Sequence, residues 1–158
     1  MSEPRVMIVE DEIIIAEDLR RALDASGYEV TGCAADGRDA VEMAINIMPD
    51  VILMDVLLPG DIDGIAAARA IHQSMDVPII YITGHSSDAL VDEAIRAGAD
   101  GFVVKPFQLC QVTSAIKVAL RHRKGDKLPE SGRPPADQGR AEPFATVFKR
   151  LQAALDDH

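Results

Sequence analysis

The chain has 158 residues, which is enough for one domain with a covered core and a short appendage. No apolar run reaches the roughly 18 residues that a membrane span requires, and no signal-peptide pattern follows Met1, so we expect a cytoplasmic protein without membrane contact. Residues 124–158 contain six basic and six acidic residues, so the net charge of -10 lies in residues 1–123, and binding of nucleic acid is not expected.

Short β-branched runs alternate with amphipathic stretches of helical length from Arg5 to Leu120. Strands are predicted at residues 6–9, 29–35, 51–55, 77–83 and 101–104, and helices at residues 13–26, 37–47, 64–74, 87–97 and 107–123. In the first helix the spacing predicts a buried face made of Ile14, Ala16, Leu19, Ala22 and Leu23. Gly27 is expected to end that helix.

Strand and helix alternation predicts a parallel sheet, because right-handed crossovers place helices on both of its faces. A flavodoxin-like, doubly wound α/β sheet of five strands in the order 2-1-3-4-5, with five helices, is favoured over a barrel, since eight such units need about 250 residues. The apolar run Val51–Met54 is typical of a central strand that is buried on both faces, and Asp55 stands at its carboxyl end.

Two segments follow the predicted domain at residues 1–123. Proline and glycine residues make 124–143 a linker. In residues 144–156 apolar side chains recur at helical spacing, which predicts a short amphipathic helix. A helix of this length is marginal in isolation, so we expect it to pack on its own domain, on a second copy or on a partner.

Polar residues stand at the carboxyl ends of four predicted strands: Glu10 and Asp11, Asp55, Thr83, and Lys105. If these strands are neighbours, the side chains meet in one cleft, where carboxylates about 4 Å apart repel each other by roughly 1 to 4 kcal/mol per pair. A hard divalent cation such as Mg²⁺ relieves this repulsion and lets a carboxylate attack phosphorus. Each acid alone is more often a helix cap or a turn residue, and only the combination predicts this chemistry.

Together these residues resemble the receiver domains of two-component response regulators, over residues 5–123. The motifs that carry the resemblance are Glu10-Asp11, Asp55, Pro59, Asp63-Gly64, Thr83, the run from Gly98 to Phe102, and Lys105-Pro106-Phe107. The resemblance implies that Asp55 is the phosphoacceptor. It implies that Mg²⁺ or Mn²⁺ is held by Asp11, Asp55 and the backbone carbonyl of Leu57, with Glu10 acting through water.

The resemblance also implies a switch. Lys105 is expected to bind the phosphoryl group, and its bond to Pro106 is expected to be cis. Thr83 and Phe102 are expected to form the switch pair, in which the hydroxyl moves toward the phosphoryl group and the aromatic ring turns inward.

The partners implied by the resemblance are a sensor histidine kinase or a histidine phosphotransfer protein. Residues 124–158 contain no recognisable output domain, which predicts a stand-alone receiver that either signals through protein contacts or drains phosphoryl groups from another regulator. Two surfaces are candidates for a homodimer: the face of predicted segments 87–97, 101–104 and 107–123, and the C-terminal helix.

Two features depart from the commonest pattern of such domains. Asp63-Gly64 lies one residue farther from Asp55 than usual, which predicts a slightly longer loop around Gly60-Asp61. Leu57 is apolar and cannot orient a water molecule, so we expect slow autodephosphorylation.

The sequence also bears on three other classes of protein. A metal-dependent hydrolase with an aspartyl-phosphate commonly carries a second aspartate two residues after the nucleophile, and that position here is Leu57. A nucleotide- or flavin-binding module needs a glycine-rich first turn, whereas this turn is Glu10-Asp11-Glu12. A degenerate receiver that acts only as a scaffold is disfavoured because every position of the acceptor site is filled.

Overall fold

The computed structural model describes residues 3–84, 92, 93, 96 and 98–123. The strands with described bounds are β1 (Arg5–Val9), β2 (Glu29–Ala34), β3 (Val51–Asp55), β4 (Ile79–Thr83) and β5 (Gly101–Val104). The helices with described bounds are α1 (Ile13–Ala25), α2 (Gly37–Ile47), α3 (Gly64–Ser74) and α4 (Leu109–Arg123). The predicted linker 124–143 and helix 144–156 lie outside the described residues, as does most of the predicted helix at 87–97.

All five strands are parallel and form one sheet in the order β2-β1-β3-β4-β5, which confirms the predicted topology. The register places Val9 beside Met54, Asp55 beside Ile82, and Thr83 beside Val104. Because the strands are parallel, their carboxyl ends meet at one edge of the sheet. The loops that leave this edge therefore start next to one another.

The three inner strands are buried on both faces, as the uninterrupted apolar run at β3 predicts. Every residue of β3 and β4 is buried, and the apolar residues of both strands are at most 2% exposed. Apolar side chains fill the space on each side of the sheet: Met7, Ile52, Met54, Ile65, Ile71, Tyr81 and Phe102 on one side, and Ile8, Leu19, Leu23, Leu53, Ile80, Val112 and Ile116 on the other. A sheet with both faces covered is a rigid base for the loops at its edge.

Short polar residues begin two of the helices. The Asp36 side chain accepts a hydrogen bond from the Asp39 backbone N–H at 2.8 Å at the start of α2. The Asp63 side chain accepts one from the Ala66 backbone N–H at 2.8 Å at the start of α3. Such caps satisfy backbone donors that have no partner within the helix. Asp63 thereby fixes where the loop after β3 ends.

The start of α1 differs from its prediction. Ile14 was expected to be buried, but it is 78% exposed, and Ile13 is 81% exposed. The buried residues are Ala16, Leu19 and Leu23, at helical spacings of three and four. Ile14 precedes Ala16 by two residues, or about 200° around the helix axis, so it points away from the sheet. None of the helices with described bounds is both long and apolar enough to cross a lipid bilayer.

Candidate metal centre

Three carboxylates meet at the carboxyl edge of the sheet: Glu10, Asp11 and Asp55. One oxygen from each lies within 4.8 Å of the others. Glu10 and Asp55 are buried, at 4% and 6% exposure, whereas Asp11 is exposed. All three donors are oxygen atoms, and the exposed side of the cluster leaves room for water. Such a site fits a hard divalent cation that keeps several waters.

Lys105 follows β5 and brings a positive charge into this cluster. Its Nζ lies 3.2 Å from Asp55 Oδ2, to which it donates a hydrogen bond, and 2.9 Å from Glu10 Oε2. The contact with Glu10 is an ion pair between two largely buried side chains. Burial opposes the charge on Lys105, but the neighbouring carboxylates outweigh it and raise the pKa of the ammonium. Lys105 is therefore a fixed cation.

The pKa of the Glu10 carboxyl is raised above its ordinary value of 4.5. Burial raises the pKa of the Glu10 carboxyl to about 7, although the Lys105 ammonium and the Glu12 backbone N–H, which donates to Glu10 Oε1 at 3.1 Å, oppose this. The nearby Asp55 carboxylate raises it further.

Asp55 is held by the chain that follows it. The Leu57 backbone N–H donates a hydrogen bond to Asp55 Oδ1 at 3.1 Å, so each oxygen of the carboxylate accepts a hydrogen bond from a described residue. The backbone turns sharply at this point, and Leu57 leaves its side chain 49% exposed. Leu57 therefore presents an apolar side chain to solvent next to Asp55.

Thr83 and Phe102 lie on the two neighbouring strands β4 and β5. Thr83 is 3% exposed at the end of β4, and its backbone carbonyl accepts a hydrogen bond from the Lys105 N–H at 2.9 Å. Phe102 is 8% exposed, and its ring centroid lies 5.7 Å from that of Tyr81. Tyr81 and Thr83 are two residues apart on one strand, so they face the same side of the sheet as Phe102. The aromatic ring is thus buried in this structure.

The predicted cis peptide bond between Lys105 and Pro106 is confirmed. Pro106 and Phe107 line a groove of about 510 Å³ together with residues of α1, Ile15 and Leu19 among them. Lys105 also lines this groove. Lys105 is therefore shared by the groove and the acidic cluster.

The exposure of two isoleucines that follow the cluster in the sequence does not follow from the predicted helix face: Ile14 was predicted to be buried, and Ile13 was not assigned. Ile13 and Ile14 begin α1 only two residues after Asp11. A signal was available, because three consecutive isoleucines in a helix span about 200° and cannot all face one core. The side chains of Ile13 and Ile14 are 81% and 78% exposed.

The family model of the response regulator receiver domain matches residues 6–117 of this chain. The transcriptional regulatory protein PdtaR of Mycobacterium tuberculosis is 43% identical over 116 residues. That match covers 73% of this chain and 56% of PdtaR, so this chain corresponds to little more than half of the relative's length.

Solved structures of similar fold include two informative relatives. The signal receiver domain of a modulated diguanylate cyclase from Desulfovibrio desulfuricans G20 superposes with a TM-score of 0.75 at 32% identity, over 80% of this chain and all of that one. The CheX–CheY–BeF3–Mg²⁺ complex from Borrelia burgdorferi gives a TM-score of 0.68 at 26% identity, over 73% of this chain and 87% of that one.

Proposed function

This chain belongs to the response regulator receiver domain family, and from that membership we propose that it accepts a phosphoryl group on Asp55 in a reaction that depends on Mg²⁺ or Mn²⁺. The observation that carries the proposal is the position of Lys105 Nζ, 3.2 Å from Asp55 Oδ2, in a cluster with two further carboxylates. An acid that is flanked by a cation and by other acids has the surroundings that phosphoryl transfer requires.

The residues of the cluster fit a divalent cation. Asp11, Asp55 and the backbone carbonyl of Leu57 would hold it, and Glu10 would act on it through a bound water. When bound, the cation neutralises negative charge that otherwise keeps the Asp55 carboxylate and an incoming phosphoryl group apart. The relative from Borrelia burgdorferi, a complex with Mg²⁺ and BeF3, supports this choice of metal.

The reaction is a transfer from phosphohistidine to aspartate. An oxygen of Asp55 attacks phosphorus, the new O–P bond forms, and the P–N bond to the donor imidazole breaks. The imidazole leaves with the electron pair of that bond and takes up a proton. Lys105 and the hydroxyl of Thr83 would contact the phosphoryl oxygens, which carry the charge in the transition state.

Lys105 and Thr83 would also couple phosphorylation to a conformational change. Phosphorylation adds about 1.5 to 2 negative charges and three acceptor oxygens, so Lys105 and Thr83 gain contacts that exist only in the phosphorylated state. A shift of Thr83 changes the space beside Phe102, because both residues pack on one side of the sheet. We propose that partners respond to this face of the protein.

The phosphoryl donor is a sensor histidine kinase or a histidine phosphotransfer protein. Ile13 and Ile14 are exposed at the start of α1, two and three residues after Asp11, and Lys105 lines an apolar groove along that helix. These features support docking of a helix next to Asp55. This surface places apolar contacts beside the reacting atoms. Binding can then hold the donor histidine in line with the carboxylate.

Loss of the phosphoryl group is proposed to be slow. Leu57 is half-exposed beside Asp55 and offers no group that could orient a water for attack on phosphorus. The same residue argues against a phosphatase that turns over free substrates, because no general acid stands at this position. The protein would thus catalyse its own modification only.

The test is incubation with acetyl phosphate and Mg²⁺, followed by intact-mass measurement. We expect the wild-type protein to gain one phosphoryl mass, and we expect no gain for Asp55→Ala or when the divalent cation is removed by EDTA. Asp50→Ala is a matched control, because Asp50 lies at the opposite end of β3 and binds the Arg5 backbone N–H at 2.8 Å. A gain that persists in Asp55→Ala would refute the proposal.

A further inference from the structure

The loop between β3 and α3, residues 56–63, is fastened to α2 at its tip. Arg38 Nε donates a hydrogen bond to Asp61 Oδ1 at 2.9 Å, and a second guanidinium nitrogen contacts Asp61 Oδ2, so the pair is bidentate. This hydrogen bonding lowers the pKa of the Asp61 carboxyl to about 2, so both partners are charged at any pH near neutrality. The two side chains are otherwise exposed to solvent.

A second contact holds the same loop without using charge. A Cβ atom at Gly37 would lie 2.7 Å from Ile62 Cγ1 and 2.8 Å from the Ile62 carbonyl oxygen. Both distances are shorter than van der Waals contact, so the loop backbone rests directly on the first turn of α2. Only glycine leaves room for this approach.

The two ends of the loop are fixed as well. The Leu57 N–H is hydrogen bonded to Asp55 Oδ1 at 3.1 Å, and the Gly64 N–H is hydrogen bonded to the Val56 carbonyl at 2.9 Å. With its tip held by Asp61 and its ends held at β3, the loop has little freedom to move its backbone. The Leu57 carbonyl lies between these anchor points.

We propose that Arg38 and Gly37 are positioning residues of the metal site: they hold the loop so that the Leu57 carbonyl stays within reach of the cation. This inference rests on the proposed function, in which that carbonyl is a metal ligand. Neither Arg38 nor Gly37 touches the cation. Residues that orient metal ligands without touching the metal affect its affinity. An exposed ion pair contributes at most about 1 kcal/mol, so its loss should raise the Kd for Mg²⁺ by no more than about fivefold.

The test uses two substitutions that change the net charge in opposite directions. Arg38→Gln makes the protein more negative, and Asp61→Asn makes it less negative. A long-range charge effect would therefore strengthen Mg²⁺ binding in the first variant and weaken it in the second. A positioning role predicts weaker binding in both, by about threefold to fivefold, measured as the Kd for Mg²⁺ by isothermal titration calorimetry.

Two further variants complete the design. The exchanged pair Arg38→Asp with Asp61→Arg restores the attraction, and we expect its Kd to return to within about twofold of wild type. Arg20→Gln is the matched control, because Arg20 forms exposed ion pairs with Glu17 and Asp24 within α1. Arg20→Gln also makes the protein more negative, so its Kd for Mg²⁺ should stay unchanged or fall slightly and should not rise. Thermal melting checks that all variants are folded.

Gly37→Ala tests the uncharged contact independently and should also weaken Mg²⁺ binding. The inference is overturned if the wild type binds Mg²⁺ and the Arg38 and Asp61 variants bind it equally well, or shift in opposite directions. If the wild type neither binds Mg²⁺ nor gains a phosphoryl group on Asp55, the proposed function itself fails, and the positioning role fails with it.

Discussion

Gly64 approaches the end of β3 so closely that a Cβ atom at this position would lie 2.0 Å from the carbonyl oxygen of Asp55. It would also lie 3.0 Å from the Val56 Cα. The first turn of α3 is therefore in direct contact with the backbone of the proposed phosphoacceptor. Any side chain at position 64 has to push the helix and the strand apart.

Gly64→Ala is accordingly expected to lower the free energy of unfolding by about 3 kcal/mol or more, since backbone atoms cannot give way as a flexible side chain can. Urea denaturation measures this change. Gly101→Ala is the control: its Cβ would lie 3.5 Å from the nearest atom, so we expect a change within about 1 kcal/mol. Equal losses in the two variants would contradict the close approach.

Lys105→Met is expected to slow phosphoryl gain from acetyl phosphate by about tenfold or more, because the cation that meets the developing charge is removed while the apolar stem is kept. The time course of intact mass at fixed Mg²⁺ concentration measures the rate. Lys117→Met removes a lysine from the exposed face of α4 and should leave the rate unchanged. A wild-type rate in Lys105→Met would show that the contact with Asp55 has no role in transfer.

The raised pKa of Glu10 makes stability depend on pH when divalent cations are absent. Between its ordinary value of 4.5 and about 7, the folded protein keeps a proton on Glu10 that the unfolded chain has released. The free energy of unfolding should therefore fall as the pH rises through this window, by on the order of 2 kcal/mol from this group. Below pH 4.5 Glu10 is protonated in both states and does not destabilise the fold. Above pH 7 it is ionised in both states, and the full loss of unfolding free energy is present.

Glu10→Gln isolates this contribution, because glutamine keeps the shape of the side chain and cannot ionise. Urea denaturation in EDTA at pH 5, 6, 7 and 8 should give a smaller decrease with pH for the variant than for the wild type. Parallel curves would mean that Glu10 titrates near its ordinary pKa.

Leu57→Asn is expected to shorten the lifetime of the phosphoryl group on Asp55 several-fold, because an amide beside the acyl phosphate can orient a water molecule. The decay of phosphorylated mass after removal of acetyl phosphate measures the lifetime. Leu57→Met keeps an apolar side chain and should decay as the wild type does. If the lifetime in Leu57→Asn is unaltered, slow hydrolysis has another cause.

The fold followed closely from local patterns, and the differences have local causes. The bounds of α2 and α3 agree with their predictions, because Asp36 and Asp63 cap the helices at positions that the sequence marks clearly. β4 begins at Ile79, two residues later than predicted, since Pro78 has no N–H to pair within the sheet. Ile14 was assigned to the wrong face, because periodicity alone does not set the rotation of a helix against a sheet.

The site was only partly predictable. Parallel strands bring their carboxyl ends together, so the meeting of Glu10, Asp11, Asp55 and Lys105 followed from the order of the strands. The Arg38 and Asp61 pair did not follow, because the two residues are 23 positions apart on a helix and a loop whose separation depends on tertiary packing. Nothing in the periodicity of α2 distinguishes Arg38 from any other exposed arginine.

The contact between Tyr81 and Phe102 also provides an intrinsic spectroscopic probe of the switch residue. The chain has no tryptophan and only two tyrosines, Tyr28 and Tyr81, so its near-ultraviolet signal is simple. Tyr28→Phe would leave Tyr81 as the single phenol chromophore, buried against the ring of the proposed switch residue. A rearrangement of Phe102 upon phosphorylation could then be followed in real time by circular dichroism, without any label.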